Sequence, residues 1–199
     1  MPNSTVFEDE PRRAKKLAVI FPGIGYRTEK PLLYYAKRLA MDRGYLIREV
    51  HYRGFPEDIN KKNARGRREL WELAMEQTRN LLRSIPVEEN GELLFISKSI
   101  GTAVACAFAN ECERPARHVL YTPLEETPLT GVTDAIAFHG TKDKYARTSV
   151  IEEHMKAAKI PLHLFEDANH SLETKQTLQD VAVLTRVMQL TDAFLSADA

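Results

Sequence analysis

The chain of 199 residues carries 28 basic and 28 acidic side chains and is 43% apolar. That balance suits one globular domain and gives no global attraction to nucleic acid or to an anionic membrane surface. No apolar run approaches the roughly 20 residues a membrane helix needs. Residues 1–16 read as a polar lead-in that lacks the apolar centre of a secretory signal. Cys106 and Cys112 lie six positions apart without metal-type spacing, and read as free thiols in a reducing cytoplasm.

Leu17-Ala18-Val19-Ile20-Phe21 is a continuous apolar run, as in a strand buried on both faces, and the turn Pro22-Gly23-Ile24-Gly25 follows it. A helix is predicted over Lys30–Asp42, with Leu32, Leu33, Ala36, Leu39 and Ala40 on one face and Gly44 ending it. A strand over Tyr45–Tyr52 leads into the polar loop from Arg53 to Asp58. A helix over Arg67–Ser84 is closed by Pro86. Next come a strand over Glu92–Ser97, a helix over Gly101–Glu111 and a strand over His118–Tyr121. A short stretch with Pro123, Pro128 and Gly131 leads to a strand over Ala135–His139. A helix over Ser149–Lys159, a strand over Leu162–Phe165 and a long helix over Thr174–Leu195 complete the chain. This alternation predicts an α/β domain over residues 17–199, with six mostly parallel strands and helices on both faces.

The most informative motif is Ser97-Lys98-Ser99-Ile100-Gly101, between the strand run Leu93–Ile96 and a helix rich in small residues. A strand, a sharp turn and a helix form the setting that exposes a nucleophilic serine. The positions two before and two after the nucleophile must be small, and here they are Ser97 and Gly101. Two later strands end in the partners such a serine needs, Asp143 and His170. Ser99, Asp143, His170 is a chain order unlike those of chymotrypsin or subtilisin.

These features resemble the α/β-hydrolase superfamily from Leu17 onward, in a small form without a lid, similar to bacterial esterases and dienelactone-hydrolase-like proteins. The family's two N-terminal antiparallel strands have no counterpart, and only about a dozen residues lie between Tyr121 and Ala135, where many members insert a lid. The resemblance implies a serine hydrolase of carboxylic esters or thioesters that needs neither metal nor organic cofactor. Ser99 would be the nucleophile, His170 the general base and acid, and Asp143 the orienting acid. The oxyanion hole would be the amides of Ile100 and Ile24, with Gly25 the alternative to Ile24. Tyr26, Phe55 and Tyr145, with Gly25, follow strand C-terminal ends and are either pocket lining or ordinary packing.

The same resemblance leaves alternatives open. Some members place the acid one strand earlier, so Glu125 competes with Asp143, as do Glu126 and Asp167. Lys98 must be solvated or paired, with Glu125 or Glu126 as candidate partners. A member that only binds a ligand or partner, or an acyltransferase, would share these letters. The other histidines read as packing or surface residues: His51 and His163 within strands, His139 in a structural His-Gly turn, His118 and His154 exposed. The basic run Lys61-Lys62, Arg65, Arg67-Arg68 reads as a solvated helix entry rather than a nucleic-acid patch. Gly23-Ile24-Gly25 lacks the third glycine of a dinucleotide fingerprint, since Thr28 occupies that position. The expected partner is a small acyl ester or thioester.

Overall fold

The strand runs and amphipathic helix faces assemble into three layers. A computed structural model describes residues 14–55, 64–83, 87–112 and 114–197. The lead-in up to residue 13, the end of the loop after the second strand, Lys61, Lys62 and the stop at Pro86 lie outside them. In chain order the elements are β1 (Ala14–Phe21), α1 (Pro31–Asp42), β2 (Leu46–Glu49), α2 (Ala64–Leu81), β3 (Val87–Lys98) and α3 (Ile100–Cys112). Then follow β4 (Arg117–Tyr121), β5 (Asp134–Gly140), α4 (Thr148–Ala157), β6 (Leu162–Phe165) and α5 (Thr177–Ser196). Among the described helices none is long and apolar enough to cross a membrane.

The sheet order is β2-β1-β3-β4-β5-β6, and every described pairing is parallel. Parallel strands buried on both faces explain the continuous apolar runs. Their side chains alternate strictly between two cores. Ala18, Ile20, Leu94, Ile96, Val119, Tyr121, Ile136 and Phe138 meet α1 and α5. Leu17, Val19, Phe21, Leu93 and Phe95 meet α2 and α3 on the other face, and Leu120, Ala135 and Ala137 meet α4 there. Each such large apolar side chain contributes about 1.5–3 kcal/mol on full burial.

Boundaries differ from expectation where pairing decides them. Strand β2 is shorter than Tyr45–Tyr52, because it is an edge strand that pairs with β1 alone. Strand β3 is longer, continuing back to Val87 past a register shift against Ala14 and Lys16. Helix α5 starts at Thr177 rather than Thr174, whose hydroxyl donates to Asp180 at 2.8 Å in the first turn. Residues 122–133 join β4 to β5 through turns, with no helix or strand.

Chain order reverses direction across the sheet at β1, which has β2 on one side and β3 on the other. Loops leaving adjacent strands at such a switch point part to opposite faces and open a crevice at the C-terminal edge. The turn after β1 and the Ser99 turn after β3 both stand there.

Candidate active site

Ser99 occupies the one-residue turn between β3 and α3 with φ of 58°, a left-handed conformation that costs a non-glycine residue about 1–2 kcal/mol. The turn is held from both sides: the Ser99 amide donates to the Tyr121 carbonyl at 3.0 Å, and the Thr102 amide donates to the Ser99 carbonyl at 2.9 Å. The small flanking residues have measurable reasons. A Cβ on Gly101 would stand 2.3 Å from the Phe21 carbonyl oxygen and 2.6 Å from that of Pro22. Ser97 is fully buried, and its hydroxyl donates to the Val119 carbonyl at 3.1 Å, so serine fits where the bare space would suit glycine. A Cβ on Gly23 would come within 3.1 Å of the Ser99 Cβ, which shows how closely the β1 turn approaches the serine.

Three strand ends converge on this turn. His170 Nδ1 lies 2.6 Å from Asp143 Oδ2, and His170 Nε2 lies 2.8 Å from Ser99 Oγ. An ionised carboxylate only accepts, so Nδ1–H donates to Asp143 and the neutral ring's Nε2 accepts from the Ser99 hydroxyl. The other Asp143 oxygen accepts from the Tyr145 amide at 2.8 Å. Burial of the fully covered Asp143 side chain pushes its pKa up, but hydrogen bonds from His170 and the Tyr145 amide outweigh that and hold it low. Burial drives the His170 pKa down, with a contribution from the Lys98 charge, against the opposing pull of Asp143. Gly140 allows the loop carrying His170 to close on β5, because a Cβ there would sit 2.3 Å from the Ala168 carbonyl oxygen.

The turn after β1 is closed by paired bonds, Gly23 amide to Tyr26 carbonyl at 3.2 Å and Tyr26 amide to Gly23 carbonyl at 3.3 Å. Gly25 takes φ of 79° at its tip, a conformation that favours glycine. Ile24 and Ile100 donate to no backbone acceptor among the described residues. Ile100 also opens α3, whose N-terminal amides carry partial positive charge.

The competing acids stand elsewhere. Glu125 accepts from the Arg147 amide and guanidinium at 2.9 and 3.0 Å, and these bonds pull its pKa down to about 2. Glu126 pairs with Arg67 at 2.6 Å, and Asp167 lies 3.7 Å from Lys142. Lys98 therefore has neither expected partner. Its position on β3 shares a face with Leu94 and Ile96, so its stem enters the core, and it is 2% exposed with its ammonium 4.9 Å from the Tyr26 ring centre. Burial lowers its pKa to about 7.

An open cleft of about 1120 Å³ lies beside His170, lined among others by Thr141, Asp143, Tyr145, Asn169 and Gln179. Tyr145 is exposed, with its ring centre 4.7 Å from that of His170. Gly25, Tyr26 and Phe55 are not part of this lining. Tyr26 is buried under Lys98 and accepts from the Leu32 amide at 3.2 Å, while Phe55 packs on Tyr52 at the other core.

His118 is buried, not exposed: it sits edge-on to Phe95 and 4.0 Å from the Cys106 sulfur, and burial lowers its pKa to about 4. His51 lies in the loop past β2, not within a strand. His139 does more than turn the chain, because its Nδ1 lies 3.8 Å from the same Asp143 oxygen that meets His170. Its Nε2 is 3.3 Å from the Thr148 hydroxyl. The two-residue alternation along β3 was the available signal for the burial of Lys98; nothing local in the sequence marks the approach of His139 to Asp143.

No protein-family model and no curated protein matches the sequence. Solved structures match nearly all of it. An α/β serine hydrolase homologue from Coxiella burnetii aligns at a TM-score of 0.67 and 12% identity, over 92% of this chain and 86% of its own. An α/β serine hydrolase without a lid, from Xanthomonas campestris, aligns at 0.56 and 13%, over 94% and 85%. The chain has the α/β-hydrolase fold. An esterase of Pyrococcus furiosus also aligns, at 0.57 and 12%, over 90% and 83%. Within the α/β-hydrolase fold, the short β4–β5 connection is where this chain departs from members that carry a lid.

Proposed function

We propose that the protein is a serine hydrolase that cleaves carboxylic esters or thioesters through an acyl-Ser99 intermediate. The observation that carries this reading is the continuous hydrogen-bonded chain Ser99–His170–Asp143, held by a serine in a strained turn. A serine that only capped α3 would not need a histidine at 2.8 Å whose other nitrogen is fixed by a buried carboxylate.

In this reading His170 Nε2 takes the Ser99 proton as Oγ attacks the acyl carbon, and Asp143 stabilises the imidazolium that results. The carbonyl oxygen becomes an oxyanion that accepts from the Ile24 and Ile100 amides, each contributing about 3–4 kcal/mol to lowering the barrier. Collapse expels the alcohol or thiol, which receives the proton from His170. Water then repeats the sequence on the acyl-enzyme and releases the acid. The Tyr145 face of the cleft lies beside His170, where the leaving group must stand to be protonated. The short β4–β5 connection, residues 122–133, forms turns only, and a site without a lid suits small or single-chain acyl groups, or an acyl group on a larger carrier.

The test is labelling with a fluorophosphonate, which reacts only with an activated serine, followed by peptide mass spectrometry. Adduct on Ser99, abolished in Ser99→Ala, supports the reading, and turnover of esters and thioesters across acyl lengths then fixes the substrate. Absence of adduct on folded protein accessible to the probe refutes it in favour of a fold used only for binding.

A further inference from the structure

Lysine beside a nucleophile is ordinarily a solvated residue, because an ammonium loses several kcal/mol of hydration on burial. Lys98 is nonetheless among the most deeply buried large side chains of the molecule. Its Cδ packs within 3.4 Å of the space beside Gly23, and its ammonium caps the face of the Tyr26 ring. Among the described residues it makes no hydrogen bond and no ion pair within 4.0 Å. Burying a cation without such partners leaves its field to act on whatever charges lie nearby.

Those charges belong to the site. Lys98 directly precedes Ser99, whose Oγ lies 2.8 Å from His170 Nε2, and His170 Nδ1 lies 2.6 Å from Asp143, so the cation stands one residue from this chain of groups. Asp143, from the loop after β5, and Glu173, from the loop after β6, favour the charged amine, and its charge disfavours the His170 imidazolium. His139, at the end of β5, lies 3.8 Å from the same Asp143 oxygen, and burial lowers its pKa. Tyr26, from the turn after β1, is kept protonated by burial, as is Tyr121, the register partner of Lys98 on β4, whose hydroxyl meets Thr191 of α5 at 2.7 Å. The faces that α1 and α5 present to this core are apolar at Leu33, Ala36, Val183 and Val187.

We propose that Lys98 is a positioning residue of the triad: its buried ammonium shares the field of Asp143 with His170 and so sets the pH above which Ser99 is reactive. The proposal rests on the serine-hydrolase reading. With the cation present, Asp143 is partly neutralised and the imidazolium is also repelled, so His170 stays an unprotonated base at lower pH. With the cation removed, the full field of Asp143 falls on His170 and favours its protonated form. The depressed pKa of Lys98 fits this arrangement, because the amine gains its charge in the same pH range in which His170 would otherwise be lost as a base.

The experiment is the pH dependence of the Ser99 labelling rate by a fluorophosphonate, from roughly pH 5 to 9, in wild type and Lys98→Met. Methionine keeps the unbranched stem and removes the charge, and Lys98→Gln replaces it if the first variant does not fold. The acid limb is expected to move up by about one pH unit, so that the rate at the wild-type midpoint falls about fivefold while the plateau at high pH changes less. A residue that only filled space would alter the rate at all pH values and leave the midpoint in place. An unmoved midpoint, or one moved down, overturns the role of Lys98 while leaving Ser99 an activated serine. Failure of wild type to label at any pH overturns the hydrolase reading and the Lys98 role together.

Discussion

Replacing Gly101 by alanine tests the physical core of the site with one methyl group. The added Cβ would lie 2.3 Å from the Phe21 carbonyl oxygen and 2.8 Å from its carbon, where ordinary contact begins at 3.4 Å. Both atoms belong to the end of the interior strand β1, which is hydrogen-bonded to β2 and β3, so no flexible side chain can give way. Either α3 must lift or the turn after β1 must shift, by roughly 1 Å. Overpacking of this kind costs about 1–3 kcal/mol, and a backbone obstacle places it at the upper end. For a domain of this size, about 3 kcal/mol lowers Tm by roughly 6–12 °C. In the proposed mechanism the same displacement moves the Ile24 and Ile100 amides away from the oxyanion, and misplacement by about 1 Å costs on the order of 10²-fold in rate. Urea titration gives the stability and fluorophosphonate labelling gives the reactivity. A variant destabilised by less than about 1 kcal/mol that labels at the wild-type rate would refute the reasoning.

Three further outcomes follow from the geometry. Asp143→Asn should reduce ester turnover by about 10⁴-fold, as expected when the imidazole tautomer is lost, whereas Glu125→Gln, which only frees Arg147, should change it less than threefold; the opposite ranking in a kcat comparison would move the acid to Glu125. The acid limb of kcat/KM should have its midpoint below the ordinary histidine value of 6.5, because burial and Lys98 together disfavour the imidazolium; a midpoint above 6.5 in a pH–rate profile contradicts that balance. Lys98→Met should stabilise the fold. The folded amine titrates at about 7 against 10.5 when exposed, so between those values the unfolded chain binds the extra proton and wild-type stability climbs with pH. The gain in the variant is therefore full below pH 7, up to about 5 kcal/mol, and fades toward pH 10; denaturant midpoints that show no gain at pH 6 would contradict it.

Much of the fold was legible because its signals are local. An apolar run such as Leu17–Phe21 is what an interior parallel strand buried on both faces requires, and Gly44 marks the end of α1 by backbone geometry alone. The Ser99 turn was equally local, since its small flanking residues answer a steric demand within five positions. Strand lengths were less legible: β2 ends where its only neighbour does, and β3 begins where the register against β1 shifts, both of which are facts about pairing. Which acid meets His170 was open in the sequence for the same kind of reason. Asp143 and Glu125 both follow strand ends, and the choice depends on Arg147, at the start of α4, drawing Glu125 away.

Burial of polar side chains was the least legible property, and His118 and Lys98 show why. Each belongs to a strand whose other residues are apolar, so alternation alone assigns it to a core face, while its chemistry argues for solvent. His118 resolves the conflict by staying neutral beside Phe95 and Cys106, where an imidazole is a tolerable packing group. Lys98 cannot resolve it so cheaply, because a lysine amine is charged in water at neutral pH and burial penalises that charge, lowering its pKa. A fold of ordinary marginal stability that carries such a cost at the residue next to Ser99 places it where an electrostatic effect on His170 and Asp143 can be exerted. Cost and placement together are what separate a working charge from an accident of packing.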